Sequence, residues 1–257
     1  MLLGRDVLHI KLKAKHLRSF LVLLVSAGPV MGAPMEGGMD ASSTAILNQY
    51  LAASASATGV DTQSQRSMEL EIDASIPKLK KQGRLHALRN ISKVGKVTYR
   101  VLGFQGDNTI KNQVIARYLE AEQQVKGDSG LALIPTNYKF KFKGEREANT
   151  GLNVYVFQVS PWRKRTGLFK GEVWLDAETH LPVYEKGRLV KNPSVFFKKV
   201  EFERAFTVRN GAPVPAHMRS IIETRVVGRV ELDVNYSTVD SASSQGAGTS
   251  SPSLAVN

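Results

Sequence analysis

Cysteine is missing from all 257 residues, which excludes disulfides, thiolate metal sites and a lipid carried on an N-terminal cysteine. A run of about 20 apolar residues, the length a helix needs to cross a bilayer, is missing too. The chain has no H-E-x-x-H, no P-loop and no G-x-G-x-x-G, so no zinc, nucleotide or dinucleotide site can be read from a motif. Acidic residues are the scarcer charge, 23 against 35 basic ones, giving a formal net charge of +12. That excess suits an anionic partner such as nucleic acid or a charged membrane. The hydrophobic share of 42% is ordinary for a globular chain with a sizeable core.

Residues 1–33 read as a cleaved signal peptide. Arg5, Lys11, Lys13, Lys15 and Arg18 precede the apolar run Phe20 to Val25, and small residues lead to Met31-Gly32-Ala33, the order of an export signal. Its five cations and single Asp6 account for part of the charge, and the mature chain keeps +8. Without cysteine, a bacterial periplasm fits better than a secreted eukaryotic setting, where disulfides are usual. Export also leaves little access to nucleic acid, which is not expected as a partner.

After the leader the pattern predicts few helices and many strands. A first helix over residues 44–56 carries Ile46, Leu47, Tyr50 and Leu51 on one stripe, with Ser42 or Ser43 as a cap. Met68, Leu70, Ile72, Ala74 and Ile76 alternate with polar residues, the period of a half-buried strand. Strands over Gly83–Ile91 and Lys96–Phe104 complete a meander. Residues 109–125 then change period, with Ile110, Val114, Tyr118, Ala121 and Val125 about four apart, and read as a helix. Further strands begin near Tyr138, Phe140 and Phe142 and continue over Leu152–Ser160, Leu168–Asp176, Pro182–Arg188, Phe196–Val208, Ala216–Val226 and Arg229–Tyr236. Asn210-Gly211 is a hairpin signal. The Ser-, Gly- and Ala-rich segment 241–257 reads as a disordered tail.

About ten strands without a strand–helix rhythm predict an α+β fold on one antiparallel sheet. A sheet that wide curls, so the expected architecture is an incomplete β-barrel with a helical lid over an apolar cavity, in one domain spanning residues 34–240.

Catalytic chemistry finds little support. Gly127-Asp128-Ser129-Gly130 is similar to a chymotrypsin-type nucleophile sequence, but Leu131 follows and His86, His180 and His217 lie in unrelated contexts, so it reads as a polar turn. The scattered histidines suggest no metal, and no carboxylate pair stands out. The chain reads as a non-enzyme with no cofactor. Trp162, Arg163, Lys164 and Arg165 form a basic turn beside an aromatic, suited to contact with anionic headgroups at a membrane surface. Large apolar side chains recur along the strands: Leu70, Ile72, Val101, Phe140, Phe142, Val156, Val173, Leu175, Phe202, Phe206, Ile222, Leu232 and Val234. Placed on one face of a curved sheet, they line the expected cavity, with Ile46, Tyr50, Ile110, Val114 and Tyr118 as lid residues. The competing reading of the same residues is a filled core.

The stretch Val159-Ser160-Pro161, Gly167-Leu168-Phe169-Lys170-Gly171-Glu172-Val173-Trp174-Leu175-Asp176 and Leu181-Pro182-Val183 resembles outer-membrane lipoprotein-sorting proteins of the LolA/LolB-like superfamily. There a strand ending in W/I-x-D is followed by a polar turn and a leucine-proline, as in Asp176-Ala177-Glu178-Thr179-His180-Leu181-Pro182. The resemblance implies an incomplete eleven-stranded barrel with a helical lid and a cavity for acyl chains of lipoproteins or lipids, an architecture shared with RseB-like sensor domains. The expectation is a periplasmic carrier or sensor binding such chains. The alternative is an envelope scaffold that binds a partner protein and has a packed, ligand-free core.

Overall fold

In the computed structural model, residues 39–60, 67–92, 96–125, 129–148, 150–193 and 195–238 are described; the expected leader and tail, and Gly127 and Asp128, lie outside them. Helix α1 (Ala41–Val60) comes first, then β1 (Ser67–Ile76), β2 (Lys81–Ile91) and β3 (Val97–Gly106). A π-helical segment, Ile110–Ile115, runs into α2 (Ala116–Val125). Seven strands follow: β4 (Tyr138–Glu147), β5 (Asn153–Pro161), β6 (Phe169–Asp176), β7 (Pro182–Leu189), β8 (Phe197–Arg209), β9 (Ala212–Thr224) and β10 (Arg229–Thr238).

All ten strands form one antiparallel sheet in the order β3-β2-β1-β10-β9-β8-β7-β6-β5-β4. Two meanders, β1 to β3 and β4 to β10, are stitched together where β1 pairs with β10, Leu70 opposite Tyr236 and Ile72 opposite Val234. The sheet is curved and open, with β3 and β4 as its edges. Among the described residues the strands number ten, against the implied eleven.

The alternation in β1 is complete. Met68, Leu70, Ile72 and Ile76 are buried to 1% exposure or less, each burial contributing roughly 1.5–3 kcal/mol. The hairpin signal Asn210-Gly211 forms the β8–β9 turn with φ of 51° and 73°, the left-handed pair a two-residue hairpin requires. Because that turn is so short, β9 starts at Ala212, four residues before the sequence pattern suggests. Pro213 and Pro215 obscured it, and a register shift at Ala205/Phe206 accompanies them. Helix α1 also starts earlier. Asp40 rather than Ser42 or Ser43 caps it, its carboxylate accepting the Ser43 amide at 2.8 Å.

Between β6 and β7 the backbones come very close. A Cβ on Gly171 would meet the Lys186 carbonyl oxygen at 1.9 Å, and one on Gly187 would meet the Lys170 carbonyl at 2.7 Å, so only glycine fits either position. The turn after β6 is held by Asp176, whose carboxylate accepts the Thr179 amide and hydroxyl, both at 2.7 Å.

Candidate functional site

The helices lie against one face of the sheet and divide it into two large apolar cores, with a small third cluster of Ala57, Leu181 and Ala212. Beneath the π-helical segment and α2, Leu70, Ile72, Leu232 and Val234 pack with Ile110, Val114 and Ile115, and Val101, Tyr118 and Ile222 lie at the margin. The π-helical turn places Ile110 and Val114, four apart, over the same strands; the Ala116 amide closes it onto the Lys111 carbonyl, a spacing of five. Beneath α1, Ile46, Leu47 and Tyr50 pack with Phe157, Phe169, Val173, Leu175 and Phe202, and Phe140 and Phe142 lie at the margin. Tyr50 donates its hydroxyl to the Leu133 carbonyl at 2.9 Å, fastening the helix to the segment before β4.

Val156 departs from the expected face. It lies opposite Trp174 in the ladder while its neighbour Phe157 lies opposite Val173, so Phe157 and not Val156 faces the helices. The sequence misled because β5 is apolar in both parities, Val154 and Val156 on one side and Phe157 and Val159 on the other; alternation then selects neither. Phe206 lies at the β8–β9 irregularity, its ring centroid 5.9 Å from the Arg204 guanidinium.

Between the two cores runs a polar seam that the pattern of apolar residues did not reveal. Arg204 sits 3.5 Å from the buried Glu185 carboxylate and 5.4 Å from the Phe202 ring. Its side chain keeps 38% exposure although Glu185, at 11%, is nearly closed off. Burial pushes the Glu185 carboxyl above its ordinary value, and Arg204 offsets only part of that. Burial works against the charge of Arg204, but Glu185 and more distant groups outweigh it and hold the guanidinium charged. Nearby, the Tyr118 and Tyr236 hydroxyls meet at 3.0 Å, and burial raises both phenols.

A second ion pair anchors α2. Arg89 Nε and Nη2 both reach Glu122 Oε1 at 3.0 Å, with side-chain exposures of 3% and 19%. The signal was present in sequence. Arg89 follows Leu85 and Ala87 in the buried parity of β2, and Arg204 lies between Phe202 and Phe206 in β8; a cation in an otherwise apolar parity marks a buried pair.

The basic turn lies apart from both cores, in the loop between β5 and β6. Trp162 donates its indole N–H to the Pro135 carbonyl at 2.9 Å, and Lys139 sits 4.4 Å over its ring. Arg163 and Lys164 border a depression of about 670 Å³ shared with Lys170, Arg188, Lys198 and Lys199. His86, His180 and His217 stand on separate elements; His217 pairs with Asp233 at 2.9 Å and His86 lies 3.6 Å from Glu69. Among the described residues no three His, Asp or Glu side chains gather as a metal set would, and no helix is long and apolar enough to cross a membrane.

No family model matches the chain, and no curated protein matches it. Solved structures similar to it include a DUF1329 family protein from Desulfovibrio piger, 14% identical, spanning 76% of this chain and 90% of that one with a TM-score of 0.40. A putative outer membrane lipoprotein-sorting protein domain from Vibrio parahaemolyticus is 14% identical over 74% of this chain and 90% of its own, TM-score 0.37. A LolA superfamily protein from Nitrosomonas europaea is 11% identical over 76% and 90%, TM-score 0.33.

Proposed function

We propose that the chain is a non-enzymatic periplasmic carrier or sensor that receives acyl chains of lipids or lipoproteins on the helix-covered face of its sheet. The carrying observation is the seam between the two cores, where Arg204 retains 38% exposure beside a nearly buried Glu185. An exposed cation beside a nearly buried carboxylate supports a gap between the cores, and the flanking side chains are large and apolar. Phe202 and Phe206 on β8, with Tyr118 and Tyr236 on the other side, form walls against which methylenes gain about 0.8 kcal/mol each on leaving water. In this reading Ile46 and Tyr50 of α1, and Ile110, Val114 and Tyr118 of the second helical segment, are the lid. Separation of the two helices over the seam admits a chain without breaking the sheet. Trp162, Arg163, Lys164 and Arg165 contact anionic headgroups during transfer.

Native mass spectrometry of the chain purified from a bacterial periplasm, with lipid extraction of the same sample, tests this. The expected result is a set of adducts of lipid mass that vanish on delipidation and return with added fatty acid or phospholipid. A single ligand-free mass with no uptake overturns the carrier reading and favours a packed scaffold that binds a partner protein.

A further inference from the structure

Antiparallel pairing brings four hairpin loops to one end of the sheet: residues 77–80, 162–168, 190–196 and 225–228. Together these loops hold seven Lys or Arg residues and no Asp or Glu. Each also presents an apolar side chain to solvent. Val195 is 79% exposed, Val226 76%, Trp162 57%, Phe196 56% and Leu79 43%. At the opposite end the hairpins 148–152, 177–181 and 210–211 carry no cation. Lys96, just before β3, lies at that end too.

The exposed tips are held in place. The Arg225 side chain donates to the Val195 carbonyl at 2.9 Å and its amide donates to the Phe196 carbonyl at 2.9 Å, so the tips of two adjacent loops stand side by side. Asn192 donates to the carbonyls of Phe197 and Lys198, both at 3.0 Å, and shapes the loop that carries them. Trp162 is fixed by Pro135 and Lys139 as described above. An isolated exposed valine on a soluble protein needs no explanation. A row of exposed apolar tips fixed by hydrogen bonds, each in a loop with a cation, is a different matter.

We infer that this end of the sheet docks on the surface of an anionic bilayer, the valine, phenylalanine and tryptophan tips entering the headgroup–acyl boundary while the flanking lysines and arginines meet lipid phosphates. The composition favours a bilayer over nucleic acid: aliphatic valines offer bases neither stacking nor hydrogen bonds, whereas apolar residues between cations match an interface that is apolar below and anionic above. The inference rests on the headgroup contact proposed above for the Trp162 turn and extends it to four loops; it does not depend on acyl binding, because a packed interior would leave these loops unchanged.

The test uses the full chain with Trp174→Phe, which leaves Trp162 as the remaining one of two tryptophans, mixed with vesicles whose acyl chains are brominated. Quenching of Trp162 is expected with equimolar phosphatidylglycerol and phosphatidylcholine, weakening as salt is raised, and not with phosphatidylcholine alone. The leader is common to every variant and does not carry Trp162, so quenching reports this end of the sheet alone. In the chain with both tryptophans, Val195→Asp with Val226→Asp lowers vesicle co-sedimentation at least tenfold. Each cation removed by Arg163→Gln or Lys164→Gln lowers it about fivefold. Unchanged far-UV circular dichroism shows that the variants fold. Co-sedimentation with Trp162 unquenched, or binding to a single-stranded oligonucleotide but not to anionic vesicles, overturns the inference.

Discussion

The two halves of the covered face are built from different materials. Under α2 the core is mainly aliphatic and the helix is tied to β2 by the Arg89–Glu122 pair, with the arginine side chain only 3% exposed. Under α1 the core is largely aromatic: Tyr138 packs on Phe169 at 5.7 Å, Phe169 on Phe202 at 5.1 Å and Phe140 on Phe157 at 6.1 Å. Burial pushes the Tyr138 phenol up to about 12. Helix α1 is fastened by the hydroxyl of Tyr50, and no ion pair joins it to the sheet among the described residues. A helix held by a buried ion pair is costly to move because moving it strands a charge. One resting on aromatic rings can slide while they re-stack, at a cost of a kcal/mol or so per pair. On the proposed carrier reading, α1 is the helix expected to move and α2 the one expected to stay.

Three experiments break or sharpen this contrast. The largest effect is expected for Phe157→Ala, which opens a cavity at the centre of the aromatic half; a loss of about 4 kcal/mol is expected in urea unfolding. An effect below about 1 kcal/mol would mean that α1 collapses onto the gap, and that its half is looser still. Next, Arg89→Met leaves Glu122 buried without its cation and costs about 3 kcal/mol. Amide exchange in α2 should rise far more than in α1, and Glu122→Gln added to it should recover part of the loss. Equal exchange in both helices would remove the distinction between fixed and mobile halves.

The smallest effect concerns the seam. Burial raises the folded-state pKa of Glu185 above its unfolded value, so protonation favours the fold, and this contribution fades as pH rises through the folded pKa. Glu185→Gln removes that dependence. At neutral pH the variant should be as stable as the parent or more stable by less than about 1 kcal/mol, with the difference vanishing below the ordinary carboxylate range. Thermal unfolding at pH 3 to 8 checks the sign. A variant less stable than the parent at neutral pH would mean that the Arg204 ion pair outweighs the burial of Glu185.

Much of the sheet could be read from the chain. The alternation through β1, the Asn210-Gly211 turn and the Gly171-to-Asp176 segment each correspond to a local backbone requirement, and local requirements are legible. The errors fall where the local signal is two-sided. β5 is apolar on both faces, so alternation does not reveal that Val156 opposes Trp174 across the ladder while Phe157 faces the helices. Prolines mask the start of β9, and Asp40, two residues before the nearer predicted cap, starts α1. Arg89 stands out in the apolar parity of β2, but its partner Glu122 cannot be read from the chain, because 33 residues separate them and Glu122 carries no motif.

Residue order alone determined the strands and helices of this protein, because side-chain period, turn chemistry and the shortage of alternating strand–helix units act over a few residues at a time. It also determined the charge and the exclusion of cysteine chemistry. Tertiary structure alone decided that β1 joins β10 and makes one sheet of two meanders, and that Arg204 and Glu185 meet between two cores. It also decided that cations and apolar tips from four separate loops share one end. Those arrangements depend on strand pairing and packing across long sequence separations, where the energy lies in contacts that no local pattern encodes.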